Sequence, residues 1–114
     1  MAVKYILRLP EPSQARGAEP SLSFTSDGAG GLAAELQAAL RDDTLFQRWR
    51  ALQEDPDEVD DALGATDPAA TVVGKQEDLM IELHATTSIP SGILKQRLKW
   101  LAGDHWVLAD VRNP

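Results

Sequence analysis

Residues 79–87, Leu-Met-Ile-Glu-Leu-His-Ala-Thr-Thr, decide the fold. Leu79, Ile81, Leu83 and Ala85 fall on one side of an extended chain, and Met80, Glu82, His84 and Thr86 on the other. Successive side chains point to opposite faces of a strand, so this period of two predicts a strand with one face on a core and one toward water. Just upstream, residues 70–74 (Ala-Thr-Val-Val-Gly) read as a partner strand, with Lys75-Gln76-Glu77-Asp78 as the turn of a hairpin. Downstream, Pro90 or Ser91 opens a helix that runs to Ala102 and stops at Gly103. Leu94, Leu98 and Leu101 form its buried stripe, and residues 105–111 supply a final strand.

Toward the start of the chain, residues 2–9 alternate in the same way. Val3, Tyr5, Leu7 and Leu9 share one face, and Lys4, Ile6 and Arg8 the other. Residues 10–20, with Pro10, Pro12, Gly17 and Pro20, are a loop. Leu22 and Phe24 against Ser21, Ser23 and Thr25 predict a half-buried strand over 21–26, paired with the first as a long-looped hairpin. Asp27-Gly28-Ala29-Gly30-Gly31 turns the chain into a helix, with Asp27 as its cap. Leu32, Leu36, Ala39 and Leu40 share a helical face, while Leu45, Trp49 and Leu52 share a different one. The phase is lost near residues 41–43, and Thr44 with Gln47 reads as a capping box, so the helical region breaks at 41–44. Six acidic residues crowd the eight positions from Glu54 to Asp61, read as a short helix anchored by Val59, Ala62 and Leu63 and ended by Gly64.

Without the first strand, the order that remains is β-α-β-β-α-β. That order resembles the ferredoxin-like sandwich, in which two helical layers cover one face of an antiparallel sheet. The resemblance implies an α+β fold: a ferredoxin-like-type antiparallel sheet with an extra N-terminal strand and two main helical regions on one face. Residues 1–114 then form a single domain, as expected for 114 residues with 43% hydrophobic and 25% charged content.

Composition removes several chemistries. There are no cysteines, which excludes disulfides, thiolate metal sites and cysteine nucleophiles, and fits a reducing cytoplasm. A net charge of −7 repels phosphate backbones, so no nucleic-acid partner is expected, and Lys95, Arg97 and Lys99 read as solvated helix surface. The opening apolar run is interrupted by Arg8 and Pro10, too early for a signal peptide, and no stretch reaches membrane-spanning length. Abundant alanine, with arginine ahead of lysine, suggests a GC-rich bacterial source. The acidic run fails calcium-loop spacing, because Val59 stands where a ligand is needed. Gly28-Ala29-Gly30-Gly31 matches no phosphate-loop pattern. His84-Ala85-Thr86 has the H-x-T form of two-histidine phosphoesterases, but His105 is followed by Trp106-Val107 and the second motif is absent. No cofactor and no metal are expected.

The remaining signal is apolar residues on the sheet face that the helices leave open. Ile6 and Met80 belong there by parity. If Val107, Ala109 and Val111 face the helices, Trp106 and Leu108 join them. Such a patch calls for a cover: a partner subunit, a ligand, or the chain's own acidic segment. The expected function is therefore a non-catalytic interaction domain of the cytoplasm, working through Ile6, Met80, Glu82, His84, Trp106 and Leu108. A small acidic inhibitor of a basic partner is one form of it. The alternative is a small enzyme or ligand-binding domain using Glu82 and His84, which share a strand face at a spacing suited to proton transfer. The opposite parity of the last strand would bring His105 toward His84.

Overall fold

The computed structural model describes residues 2–114. Four strands, β1 (Val3–Leu9), β2 (Thr71–Glu77), β3 (Met80–Thr87) and β4 (Val107–Arg112), form one antiparallel sheet in the spatial order β2-β3-β1-β4. Three helices, α1 (Ala29–Arg41), α2 (Thr44–Ala51) and α3 (Ser91–Ala102), complete an α+β architecture. Among the described residues, no helix is long and apolar enough to cross a membrane.

One core joins sheet and helices. Leu7, Leu9, Ile81, Leu83 and Ala85 meet Leu32, Leu36, Leu40, Leu94, Leu98 and Leu101, all buried in a single cluster. At about 1.5–3 kcal/mol for each large apolar side chain buried, this face supplies most of the folding drive. The hairpin turns more tightly than its sequence suggests. β2 continues through Glu77, and only Asp78 and Leu79 link it to β3. Asp78 takes the left-handed conformation (φ 55°), which aspartate tolerates. Leu79 therefore leaves the core row assigned to it and stands 87% exposed at the tip.

Residues 21–26 do not form a strand, so Val3–Leu9, expected as an extra N-terminal strand, is itself the first strand of the β-α-β-β-α-β order. Leu22 and Phe24 are buried as the alternation predicts, but the backbone finds other partners. The Phe24 N–H donates to the Leu101 carbonyl at the end of α3 (2.9 Å). The N–H groups of Thr25 and Ser26 donate to the Glu35 carboxylate on α1 (3.0 Å each). Leu22 is held in a turn, its N–H donating to the Glu19 carbonyl (3.0 Å), so alternate residues are buried here without the neighbouring strand that a strand needs.

The helical break lies where the phase is lost, with a different cap. Asp42 is extended, and its Oδ1 accepts the Thr44 N–H (3.0 Å), while Gln47 donates to Asp43. Thr44 is thus the first helical residue rather than the cap. Asp27 does not cap α1 either, since Gly28 holds that position and Asp27 pairs with Arg16 (2.7 Å). The acidic run forms two short 3₁₀ turns, Pro56–Glu58 and Asp61–Gly64, not one helix. Carboxylates three and four residues apart repel on a helix, and Asp60 accepts the Ala62 N–H to start a fresh turn.

Arg97 corrects the reading of α3 as a solvated basic surface. It is fully buried. Its guanidinium donates to the Ala39 carbonyl (2.9 Å), in the last turn of α1, and to the Leu63 and Ala65 carbonyls (2.9 and 2.6 Å) after the acidic run. Helix-end carbonyls lack intrahelical donors, and Arg97 supplies them. Burial lowers its pKa, with Asp43 opposing, yet a guanidinium keeps its proton in proteins.

Candidate functional site

The open face is laid out by strand pairing, because residues directly opposite share a face. Val73, His84, Ile6 and Asp110 form one row across it; Lys75, Glu82, Arg8 and Val107 form the next. Ile6 is only 4% exposed, although no helix packs on this side. Met80 lies two residues beyond Glu82, opposite Glu77. Ile6, Met80, Glu82 and His84 are therefore together, as their parity predicts.

Trp106 and Leu108 are not with them. Leu108 pairs with Leu7, on the helix side, and both Leu108 and Trp106 pack against the main core. The Trp106 indole donates to the Gly103 carbonyl (2.9 Å). Val107 takes the open-face position beside Arg8 and is half exposed. The cause is a bulge: pairing shifts between Ile6 and Leu7, leaving Ala109 as an extra residue in β4. Below it Leu108 faces the helices, and above it Val111, opposite Tyr5, faces the same way. No single parity describes both ends of this strand. His105 does not approach His84. It lines a hollow with Pro10 and Glu11 past the end of β1, whereas His84 sits opposite Ile6 at mid-strand.

Glu82 is the centre of a short polar chain. Its Oε1 lies 2.6 Å from His84 Nε2, and its Oε2 accepts from Arg8 Nε at 3.2 Å. His84 and Glu82 keep only 11% and 15% of their side-chain surface, while Arg8 keeps 51%. The hydrogen bond from His84, aided by Arg8, holds the Glu82 carboxyl below its ordinary pKa, with burial opposing. With the proton on Nε2, the imidazole donates to the carboxylate, and the buried Nδ1 is left without a partner. This pair is equipped to hold or pass a proton. It has no further acid or histidine for a metal, since no cluster of three His, Asp or Glu side chains forms among the described residues.

Two cavities lie elsewhere. One of about 380 Å³ runs between residues 20–25 and the α1–α2 junction, and one of about 460 Å³ between α2, α3 and residues 18–22. Sequence reasoning missed Val73, Lys75 and Val107 on the open face, and placed Arg8 there without naming it as part of the site. Placing the two-residue turn at Asp78-Leu79 would have set Val73 opposite His84 and exposed the first two. Compared with protein-family models, curated proteins and solved structures, the chain matches none.

Proposed function

We propose that this chain is a non-catalytic protein-interaction domain of the bacterial cytoplasm, working through the open sheet face with a protein partner or a second copy. The supporting observation is the character of that face. It extends over four strands, and its charges nearly balance: Lys4, Arg8, Lys75 and Arg112 against Glu77, Glu82 and Asp110. In a chain of net charge −7, this is a surface on which two copies meet with little repulsion. Val73 and Val107, 56% and 51% exposed, supply apolar contacts in place of Trp106 and Leu108. The β-α-β-β-α-β order, with α1 and α2 acting together as the first helix, supports a ferredoxin-like sandwich in which β1 is the first strand rather than an extra one.

Sedimentation velocity across a wide concentration range tests the reading. Association that weakens in Val73→Glu and Val107→Glu supports it. A monomer that binds no protein through this face would sink it.

A second reading rests on the 2.6 Å contact between Glu82 and His84 and the unpartnered Nδ1. There, the pair serves acid–base chemistry on a ligand laid across the sheet. Glu82→Gln and His84→Ala would then abolish turnover, while the two valine variants would not.

A further inference from the structure

Both edges of the sheet are guarded against a further strand. Along β2 the guard is α1. Gln37 Oε1 accepts the Val72 N–H (3.0 Å), and Arg41 Nε donates to the Ala70 carbonyl (2.6 Å) just ahead of the strand. Gly74 lies so close to α1 that a Cβ there would collide with the Ala29 carbonyl. Along β4, the opposite edge, the Val111 N–H is taken by the Asp110 carboxylate (2.8 Å), and the bulge interrupts the strand. Neither edge offers an unbroken run of free backbone groups, so pairing of edges into one longer sheet is disfavoured. What the sheet offers a second copy is its open face.

The charges of that face are sorted by strand. β1 carries Lys4 and Arg8 and no acid, whereas β3 carries Glu82 and neither lysine nor arginine. On the outer strands the charges cancel: Lys75 with Glu77 on β2, and Arg112 with Asp110 on β4. Sheets stacked face to face commonly keep their strands roughly aligned. Two kinds of two-fold axis then bring the open faces together. An axis across the strands lays β1 on β1, so that Lys4 and Arg8 of one copy confront the same cations of the other. An axis along the strands, between the central pair β1 and β3, lays β1 on β3 and β2 on β4. Arg8 and Glu82 are directly opposite within one sheet, so this second rotation sets each over the other's counterpart. Arg8 keeps 51% of its side-chain surface beyond its own contact with Glu82 and is free to reach across. We propose that the open face binds a second copy of this chain about a two-fold axis along the strands, with Arg8 of each copy over Glu82 of the other. The proposal rests on the sheet-face reading and adds to it the occupant and its orientation. At ~4.8 Å between strands and ~3.3 Å per residue the face spans roughly 20 Å each way. That is small for an interface, so dimerisation depends on protein concentration.

Charge reversal, read by sedimentation velocity on the whole chain, tests the orientation. Arg8→Glu and Glu82→Lys each place like charges in contact across the dimer and weaken self-association about three- to tenfold at low salt. An equal mixture of the two variants recovers it, because both contacts are again of opposite sign. Cross-linking tests the same geometry without changing the Arg8–Glu82 pair. The chain has no cysteine of its own, so single cysteines can be placed at will. A mixture of Lys4→Cys and Thr86→Cys chains is joined by a bismaleimide of about 8–10 Å, close to the ~10 Å between stacked sheets. A mixture of Thr86→Cys and Met80→Cys chains, which only an axis across the strands would bring together, is not. Circular dichroism checks that each variant folds; should a charge variant fail, the cysteine pairs carry the test. Arg8→Glu that tightens association, no recovery on mixing, or linkage of Thr86→Cys to Met80→Cys in preference to Lys4→Cys overturns the orientation and leaves the sheet-face reading standing. A chain that stays monomeric at every concentration overturns the second copy as occupant. Association that Val73→Glu and Val107→Glu leave untouched overturns the sheet-face reading itself.

Discussion

The two faces of the sheet bury their side chains by different means. On the covered face, Ile81, Leu83 and Ala85 of β3 lie under helices drawn from distant parts of the chain. On the open face, Ile6 is equally inaccessible, yet its surroundings are its own sheet neighbours: His84 and Asp110 across the row, Lys4 and Arg8 along the strand. Burial of the first kind is fixed by tertiary packing and is costly to disturb. Burial of the second kind depends on the stems of long polar side chains, which move at little cost. The covered face should therefore tolerate few changes and the open face many, so that the open face is free to carry specificity.

The strongest test of that contrast is Arg97. Among the described residues it is the one charged side chain buried on the helical side, and three carbonyls depend on it. Arg97→Met keeps much of the volume and removes every donor. Stability in urea should fall by about 3 kcal/mol or more, because charged hydrogen bonds are lost and buried acceptors are orphaned. A loss under about 1 kcal/mol would mean that water replaces the guanidinium, and that this side is more permeable than its packing implies.

Acid provides the next test. Burial, the largest influence on Glu35, pushes its carboxyl up, but hydrogen bonds from Ser26 and Thr25 outweigh it and the net pKa is lowered. Asp67 is lowered chiefly by the Ser88 N–H, helped by Thr87 and Ala69 against burial. A carboxyl with a depressed folded pKa stabilises the protein above its unfolded value, and that stability is lost as pH falls through the folded value. Stability should therefore hold above pH 4.5, the ordinary glutamate value, and decline below it. Glu35→Gln should cost about 1–2 kcal/mol at neutral pH by weakening the tie between residues 25–26 and α1. It should also flatten the decline in acid. Equal slopes for the variant and the parent would show that Glu35 plays no part.

Smaller still are the changes expected on the open face. Val73→Glu and Val107→Glu should alter stability by only about 0.5 kcal/mol, as exposed substitutions generally do. Their effect belongs in association, read by sedimentation. Losses of several kcal/mol would show that the open face is packed as tightly as the covered one.

What the sequence conveys about these faces depends on how local the deciding interaction is. β3 and α3 are legible because their patterns are one-sided and their ends are marked by Pro90 and Gly103. Residues 21–26 show their burial but not their hydrogen-bond partners, which come from Leu101 and Glu35 far along the chain. β4 misleads because its bulge is set by pairing with β1, and a two-residue period carries no sign of it. Arg97 was legible in part. It stands three residues after Leu94 and four before Leu101, inside the buried stripe, and only its charge argues for the outside. Glu82 and His84 are placed correctly by parity alone, whereas the cavity between α2, α3 and residues 18–22 needs three separated segments to meet.

A comparably small effect is expected of His84→Ala, and it bears most directly on what the open face does. The imidazole contributes one charged hydrogen bond to Glu82 and leaves its own buried Nδ1 unpartnered. A gain of the order of 1–2 kcal/mol from the bond is offset by the cost of the unsatisfied nitrogen. Net stability should therefore change by less than about 1 kcal/mol. The carboxyl left behind still has Arg8, so it stays ionised, but its largest lowering influence is gone. In carbon-detected NMR titrations, the Glu82 carboxyl should titrate at higher pH in His84→Ala than in the parent. Its contribution to stability should then fade at a higher pH on the acid side. An unchanged Glu82 titration would mean that the 2.6 Å contact does not persist in solution, and the acid–base reading would lose its main geometric support. A raised Glu82 pKa with sheet-face association intact would leave the pair as a polar staple within an interaction surface.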